Sequence, residues 1–294
     1  MSRMTSTITV GVDGSDAALT AVEWAAKEAA LRKMDLHLLS TTSIADIGYP
    51  ERSVISPDVL AALQDEVQTT LRIAKTRAID VTPGIPVSIA YAFARPVDAL
   101  RDASSRSALT VVGRRGAGGF RRLLAGSVAL SLPAHARGPV VVVPHPKHTG
   151  TRSGIVVGIS GENNDKAVLG AAYPEASFRQ SALVAVHAWD ADPLFVPRLA
   201  TNPLIVAEIA RVEAEERRLL EERLDGWVDQ FPDVPVRAVI RRCSAAAAVL
   251  DMADDSEMVV LGSRGRGPVT SALLGSTSRS VIQHAFCPVM VVPV

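Results

Sequence analysis

The chain has 294 residues, of which 48% are hydrophobic and 21% charged, and its 31 basic residues balance its 31 acidic ones to a net charge of zero. That composition excludes disorder and a strongly basic nucleic-acid binder, and the length suits two domains, each with its own core. Only Cys243 and Cys287 occur, without a CxxC pair or zinc-spaced histidines, so neither a disulfide scaffold nor a metal finger is expected, and both thiols read as small buried residues or bystanders.

The opening "MSRMTSTITV" lacks a long apolar segment, and no stretch reaches the roughly 18 apolar residues of a membrane helix, so a cytoplasmic protein is expected. "TITVGVD" (7–13) predicts a first strand, 16–34 a helix with Trp24 on its apolar face, and "LHLLST" (36–41) a second strand. After a polar loop from Thr42 to Pro57 follow a helix near 58–79, strand "PVSIAYAF", helix 97–106, strand "ALTVVG", helix 127–136 and strand "PVVVVP". The second half repeats this order, with a long helix expected over 203–230 that carries Glu213 one turn ahead of Arg217. Strands that are apolar throughout are buried on both faces, the mark of a parallel sheet covered by helices. The expected fold is α/β: two tandem doubly wound (Rossmann-like) domains, each with a five-stranded, mostly parallel sheet.

The halves are copies. "TVVGRRGAGG" (110–119) is echoed by "VVLGSRGRGP" (259–268), and positions 113, 126 and 144 recur at 262, 275 and 293, a constant offset of 149. At the front, "ITVGVDGSD" aligns with "IVVGISGEN" at an offset of 147. The domains read as 1–145 and 152–294, with 146–151 as a polar linker. Met258 and Met290 are placed for core packing.

Ligands of such sheets sit beyond the carboxyl ends of the strands, where the strand order switches. There the pattern GxxGx(9)G[ST] stands twice, as Gly113, Gly116, Gly126, Ser127 and as Gly262, Gly265, Gly275, Ser276. Gly113 and Gly262 either merely turn the chain or let a sugar or phosphate approach the backbone, while Gly116 and Gly265 would contribute free N–H groups to an anion nest. Gly126 with Ser127, and Gly275 with Ser276, open helices whose unpaired N–H groups favour phosphate. Arg114, Arg115, Arg121, Arg122, Arg264 and Arg266 could add charge, though each is equally a solvated surface residue. Histidines 135, 145, 148, 187 and 284 show no metal-binding or catalytic spacing, and His187, in "ALVAVHAW", reads as a satisfied near-core residue.

"GVDGSDAA", "VVGRRGAGGFRRLLAGS", "VVLGSRGRGPVTSALLGS", "GPVVVVP" and "CPVMVVP" together resemble the universal stress protein family in its tandem two-domain form, across essentially the whole chain. The resemblance extends to the subgroup that binds ATP. It implies that Asp13 contacts the nucleoside, with Gly11, Val12 and Thr41 nearby, Gly113 near the ribose, and Gly116, Gly126, Ser127 and Val128 on the phosphates. The corresponding second-copy residues are Gly158, Ile159, Ser160, Ala188, Gly262, Gly265, Gly275, Ser276 and Thr277. Ser160 in place of Asp13 supplies no charge, so the second site is expected to hold adenine nucleotide more weakly or less selectively.

The implied role is a nucleotide-dependent regulatory or stress-response protein that binds ATP, with Mg2+ as an optional companion. No GxxxxGK[ST] loop, GxSxG elbow or general base is evident, which leaves only slow hydrolysis open. The alternatives are an ATP-cleaving enzyme of the adenine nucleotide α-hydrolase-like class, which "VGISGENND" faintly resembles, and a nucleotide-free interaction scaffold. No nucleic-acid or membrane partner is expected. The two copies are expected to pair through their last strands, and the sequence leaves open whether whole chains form a homodimer.

Overall fold

The computed structural model describes residues 7–42, 56–117, 124–145, 153–162, 164–189, 202–265 and 273–294. The linker 146–151, the arginines at 121, 122 and 266, His148 and most of the loop after Thr42 lie outside these residues. The chain forms two compact units, one made mainly of residues 1–147 and the other mainly of residues 148–294.

In the first unit the elements run β1 (Thr7–Val12), α1 (Asp16–Arg32), β2 (Asp35–Thr41), α2 (Pro57–Val81), β3 (Val87–Ala92), α3 (Pro96–Ser104), β4 (Leu109–Gly113), α4 (Ser127–His135) and β5 (Val140–Val143). Its strands lie in the order β3-β2-β1-β4-β5, and every described pair is parallel. Right-handed crossovers then assign α1 and α2 to one face and α3 and α4 to the other. In agreement, α1 packs on α2 and α3 on α4. Both faces being covered, Ile8, Val10, Leu36, Leu38, Val111 and Val140 are fully buried.

The second unit runs β6 (Ile155–Ile159), α5 (Asp165–Arg179), β7 (Leu183–Ala188), α6 (Pro203–Leu224), α7 (Trp227–Gln230), β8 (Val236–Arg241), α8 (Ala245–Ala253), β9 (Met258–Gly262), α9 (Ser276–His284) and β10 (Val289–Val292). Its order is β8-β7-β6-β9-β10, again parallel throughout the described pairs. Met258 and Met290 lie in its core, Cys287 is fully buried, and Cys243 is half-buried; neither is in a disulfide.

In the first unit the expected elements stand within two residues of their observed bounds. The clear correction falls on the helix expected over 203–230, which ends at Leu224 and resumes at Trp227. Gly226 takes φ +76°, a conformation no helix interior contains, and the chain turns there. The turn lays Trp227 over Tyr173, with ring centroids 5.6 Å apart, and Phe231 completes the cluster. Gly170 makes room for it, since a Cβ there would lie 3.2 Å from the indole. Burial pushes the Tyr173 hydroxyl up to about 12.

Each first helix also carries an ion pair one turn apart near its end: Glu28 with Arg32 at 2.5 Å, and Glu175 with Arg179 at 3.4 Å. All four side chains are more than nine-tenths buried. Among the described residues no helix is long and apolar enough to cross a membrane.

Candidate functional site

In each unit the first and fourth strands in chain order are neighbours, and the connections that leave their carboxyl ends depart to opposite sides. A crevice opens between such loops. In the first unit Gly14 turns the chain after β1 at φ +82° and Ser15 caps α1 by accepting the Ala18 N–H at 3.1 Å. The Asp13 carboxylate is thereby held over the crevice. Its Oδ1 accepts from the Ser15 N–H (3.1 Å) and hydroxyl (2.6 Å), while Oδ2 accepts from the Ala117 N–H at 2.8 Å. A Cβ on Gly116 would stand 2.5 Å from that Oδ2. The glycine loop is thus in contact with the protein's own anion.

The loop is closed by the Gly126 N–H, which donates to the Arg114 carbonyl at 2.8 Å. Gly126 caps α4 without a side-chain hydrogen bond, and Ser127 and Val128 open the helix with N–H groups that have no partner within it. Burial, with Arg115 beside it, pulls Arg114 below its ordinary value. Val12 and Thr41 end β1 and β2 at the same rim.

Three of the glycines expected at the sites also have a packing reason. A Cβ on Gly113 would lie 2.5 Å from the Ala17 carbonyl in the first turn of α1, so glycine here serves the packing of β4 on that helix. On Gly11 it would meet Leu100 at 3.0 Å, and on Gly158 it would meet Leu261 Cδ2, so these glycines admit the side chains beneath the crevice.

In the second unit the same geometry surrounds a cavity of about 240 Å³. All nine residues expected at this site line it: Gly158, Ile159, Ser160, Ala188, Gly262, Gly265, Gly275, Ser276 and Thr277. Val186, Ala245, Val249 and Leu261 make one wall apolar, while Arg264 and Ser278 add polar groups. The Gly275 N–H closes the loop onto the Ser263 carbonyl at 2.9 Å, as Gly126 does on Arg114. The Ser278 hydroxyl donates to the Gly262 carbonyl at 2.6 Å and fixes α9 to the strand end.

Asp165 is the functional residue that sequence reasoning missed. Its carboxylate, 2% exposed, accepts from the Ser160 N–H and hydroxyl, both at 2.9 Å, and from the Gly161 N–H at 2.8 Å. Arg223 of α6 steadies the same loop by donating to the Gly161 carbonyl at 2.9 Å. The carboxylate that holds this loop stands at the first residue of α5, where α1 also begins with an aspartate, Asp16. A residue five places after Ser160, at a helix start, was the available signal. His187 is buried, with Nδ1 2.9 Å from the Ile159 carbonyl oxygen and Nε2 2.9 Å from Glu216, the near-core role expected of it.

A wider groove of about 580 Å³ lies between α1 and α2. Its Arg77 is paired with Glu23 at 2.5 Å, and no loop N–H groups converge on it.

The model of the universal stress protein family matches residues 4–144 and 152–293. A universal stress protein of Mycobacterium tuberculosis is 34% identical over 97% of this chain and 94% of its own length. The chain belongs to the universal stress protein family. A universal stress protein of Mycolicibacterium smegmatis is similar to it at 35% identity over 97% of this chain and 96% of that protein. Among solved structures, a universal stress protein from Archaeoglobus fulgidus superposes with a TM-score of 0.69 at 19% identity, covering 98% of this chain and 96% of that one, which establishes the shared fold.

Proposed function

We propose that this universal stress protein binds adenine nucleotide in both repeats, 1–145 and 152–294, and acts as an ATP-dependent regulatory protein in stress response. The single observation that carries this reading is the second-unit cavity, which gathers every second-copy residue that the family resemblance assigns to the nucleotide. Its apolar lining suits a base, and the same cavity offers what a polyphosphate needs: glycine-loop N–H groups, an uncapped helix start and hydroxyls. The first unit repeats the loop closure and the uncapped helix.

Mg2+ would arrive with the phosphates. No cluster of three potential ligands stands among the described residues, and Mg2+ is commonly held by one carboxylate or two with substrate phosphates, a role open to Asp13. Nucleotide occupancy would order the glycine loops and change the surface that partners meet. Two cysteines outside any disulfide suit a reducing compartment, and we place the protein in the cytoplasm.

Mass spectrometry of the small molecules that co-purify with the full chain tests the reading directly. Wild type is expected to carry adenine nucleotide, and the double variant Gly126→Val, Gly275→Val is expected to lose it, since each valine fills a helix start. Retention by that variant overturns the site assignment. Release of phosphate or pyrophosphate at a rate matching turnover would favour the enzyme alternative instead.

A further inference from the structure

Helix α6 buries only Leu220 and Leu224, both near its carboxyl end. On the side turned away from them, residues spaced alternately by four and three form a seam, the period that keeps side chains on one stripe of a helix. The seam begins with Leu204, 81% exposed, and continues with Glu208, Arg211, Glu215, Arg218 and Glu222, so its charges alternate in sign. All five charged side chains are more than half exposed. Within the helix Arg211 reaches Glu208 at 2.7 Å and Glu215 at 3.2 Å, and Arg218 reaches Glu222 at 2.8 Å. The hydrogen bond from Arg211 holds Glu208 below the ordinary carboxylate range, so the seam stays charged at neutral pH. Beside it, at intervals of seven, runs an apolar line of Ile205 and Val212, both half-buried, and Leu219, 40% exposed.

We infer that two chains associate through this face, with α6 lying antiparallel on the α6 of a second copy and the twofold axis level with Glu213. The order of the charges selects the orientation. Reversing one helix about that level sets Arg211 opposite Glu215 of the second copy and Glu208 opposite Arg218, and the symmetry repeats both contacts. A parallel pair would instead set Glu against Glu and Arg against Arg, which opposes association. The apolar line completes the match. The same axis brings Ile205 beside Leu219 of the second copy and Val212 beside its own counterpart, while Ala207 and Ala214 on the other flank let the helices come close. Exposed pairs along one helix add little by themselves. Each guanidinium has further N–H groups and each carboxylate further lone pairs, so contacts across the helices add to the pairs within them. This surface lies on the outer side of α6 and is independent of the nucleotide reading.

Sedimentation velocity of the full chain over a range of concentrations tests this. Wild type is expected to form a dimer. Arg211→Glu with Arg218→Glu makes the seam wholly acidic, and is expected to raise the dissociation constant of the dimer roughly a hundredfold or more, since like charges then meet across it. Glu208→Arg with Glu215→Arg is expected to do the same with a basic seam. An equimolar mixture of these two variants is expected to dimerise again, a recovery that misfolded chains could not give. Arg211→Glu with Glu215→Arg exchanges the charges nearest the axis, keeps every antiparallel contact complementary, and is expected to dimerise as wild type does. A wild type that stays monomeric, a dimer that survives the acidic seam, a mixture that stays monomeric, or dissociation of the exchanged variant overturns the inference.

Discussion

Two glycines of one motif should fail in opposite ways. Replacing Gly113 by alanine puts a methyl 2.5 Å from the Ala17 carbonyl oxygen and 2.7 Å from its carbon, both backbone atoms that cannot rotate aside. Relief to ordinary contact requires α1 to move by about an ångström against β4, an overpacking that costs about 2–3 kcal/mol. In a unit of this size that lowers the melting temperature by roughly 6–9 °C. Gly265→Ala meets no atom of the described residues within 4 Å and needs no left-handed backbone, so its melting temperature should stay within about 1–2 °C of wild type. Differential scanning fluorimetry without ligand, repeated with ATP, separates the cases: Gly113→Ala loses stability in both, and Gly265→Ala loses only part of the ATP-dependent gain. A wild-type melting temperature for Gly113→Ala would refute the packing account of that glycine.

Gly226→Ala, at φ +76° with nothing near its Cβ, should cost about 1–2 kcal/mol through backbone strain alone, seen as a lower urea midpoint. Asp165→Ala removes the acceptor of two loop N–H groups and a hydroxyl, and should cost about 2–4 kcal/mol while weakening ATP binding in the second unit. For Tyr173, the phenol ionises near 10 in the unfolded chain and near 12 in the fold. Its contribution is complete below pH 10 and is lost as pH rises to 12, about 2–3 kcal/mol in all, and Tyr173→Phe should flatten that part of the alkaline stability curve. His37 is held below its ordinary value by burial and by Arg106, so stability should fall as pH drops below about 6.5, and an NMR titration of its ring should show the lowered midpoint.

The parallel sheets were legible because runs such as Val140–Val143 are apolar at every position, which only burial on both faces explains. The helix starts at Ser127 and Ser276 were legible because glycine precedes each at the same distance from a strand end. The break at Gly226 was not, since the surrounding apolar spacing continues through it and only the packing of Trp227 on Tyr173 shows why the helix stops. Nor was the contact between Asp13 and Ala117, which joins two loops 104 residues apart and has no periodic signature. The carboxylate of Asp165 escaped for a related reason: alignment of the copies compares position with position, and this acceptor of the Ser160 N–H lies five residues further along the chain.

The paired Glu and Arg near the ends of α1 and α5 bear on how the two halves could drift apart. Loss of either partner strands a buried charge at a cost of about 3–5 kcal/mol, although exchanging both for apolar residues can be neutral. No single substitution crosses that barrier cheaply, so the pair behaves as a ratchet: once acquired before the duplication, it is retained in both descendants by the difficulty of leaving. It therefore stands at matching positions in both halves, unlike the loop carboxylate Asp13, whose place in the second copy is taken by Ser160.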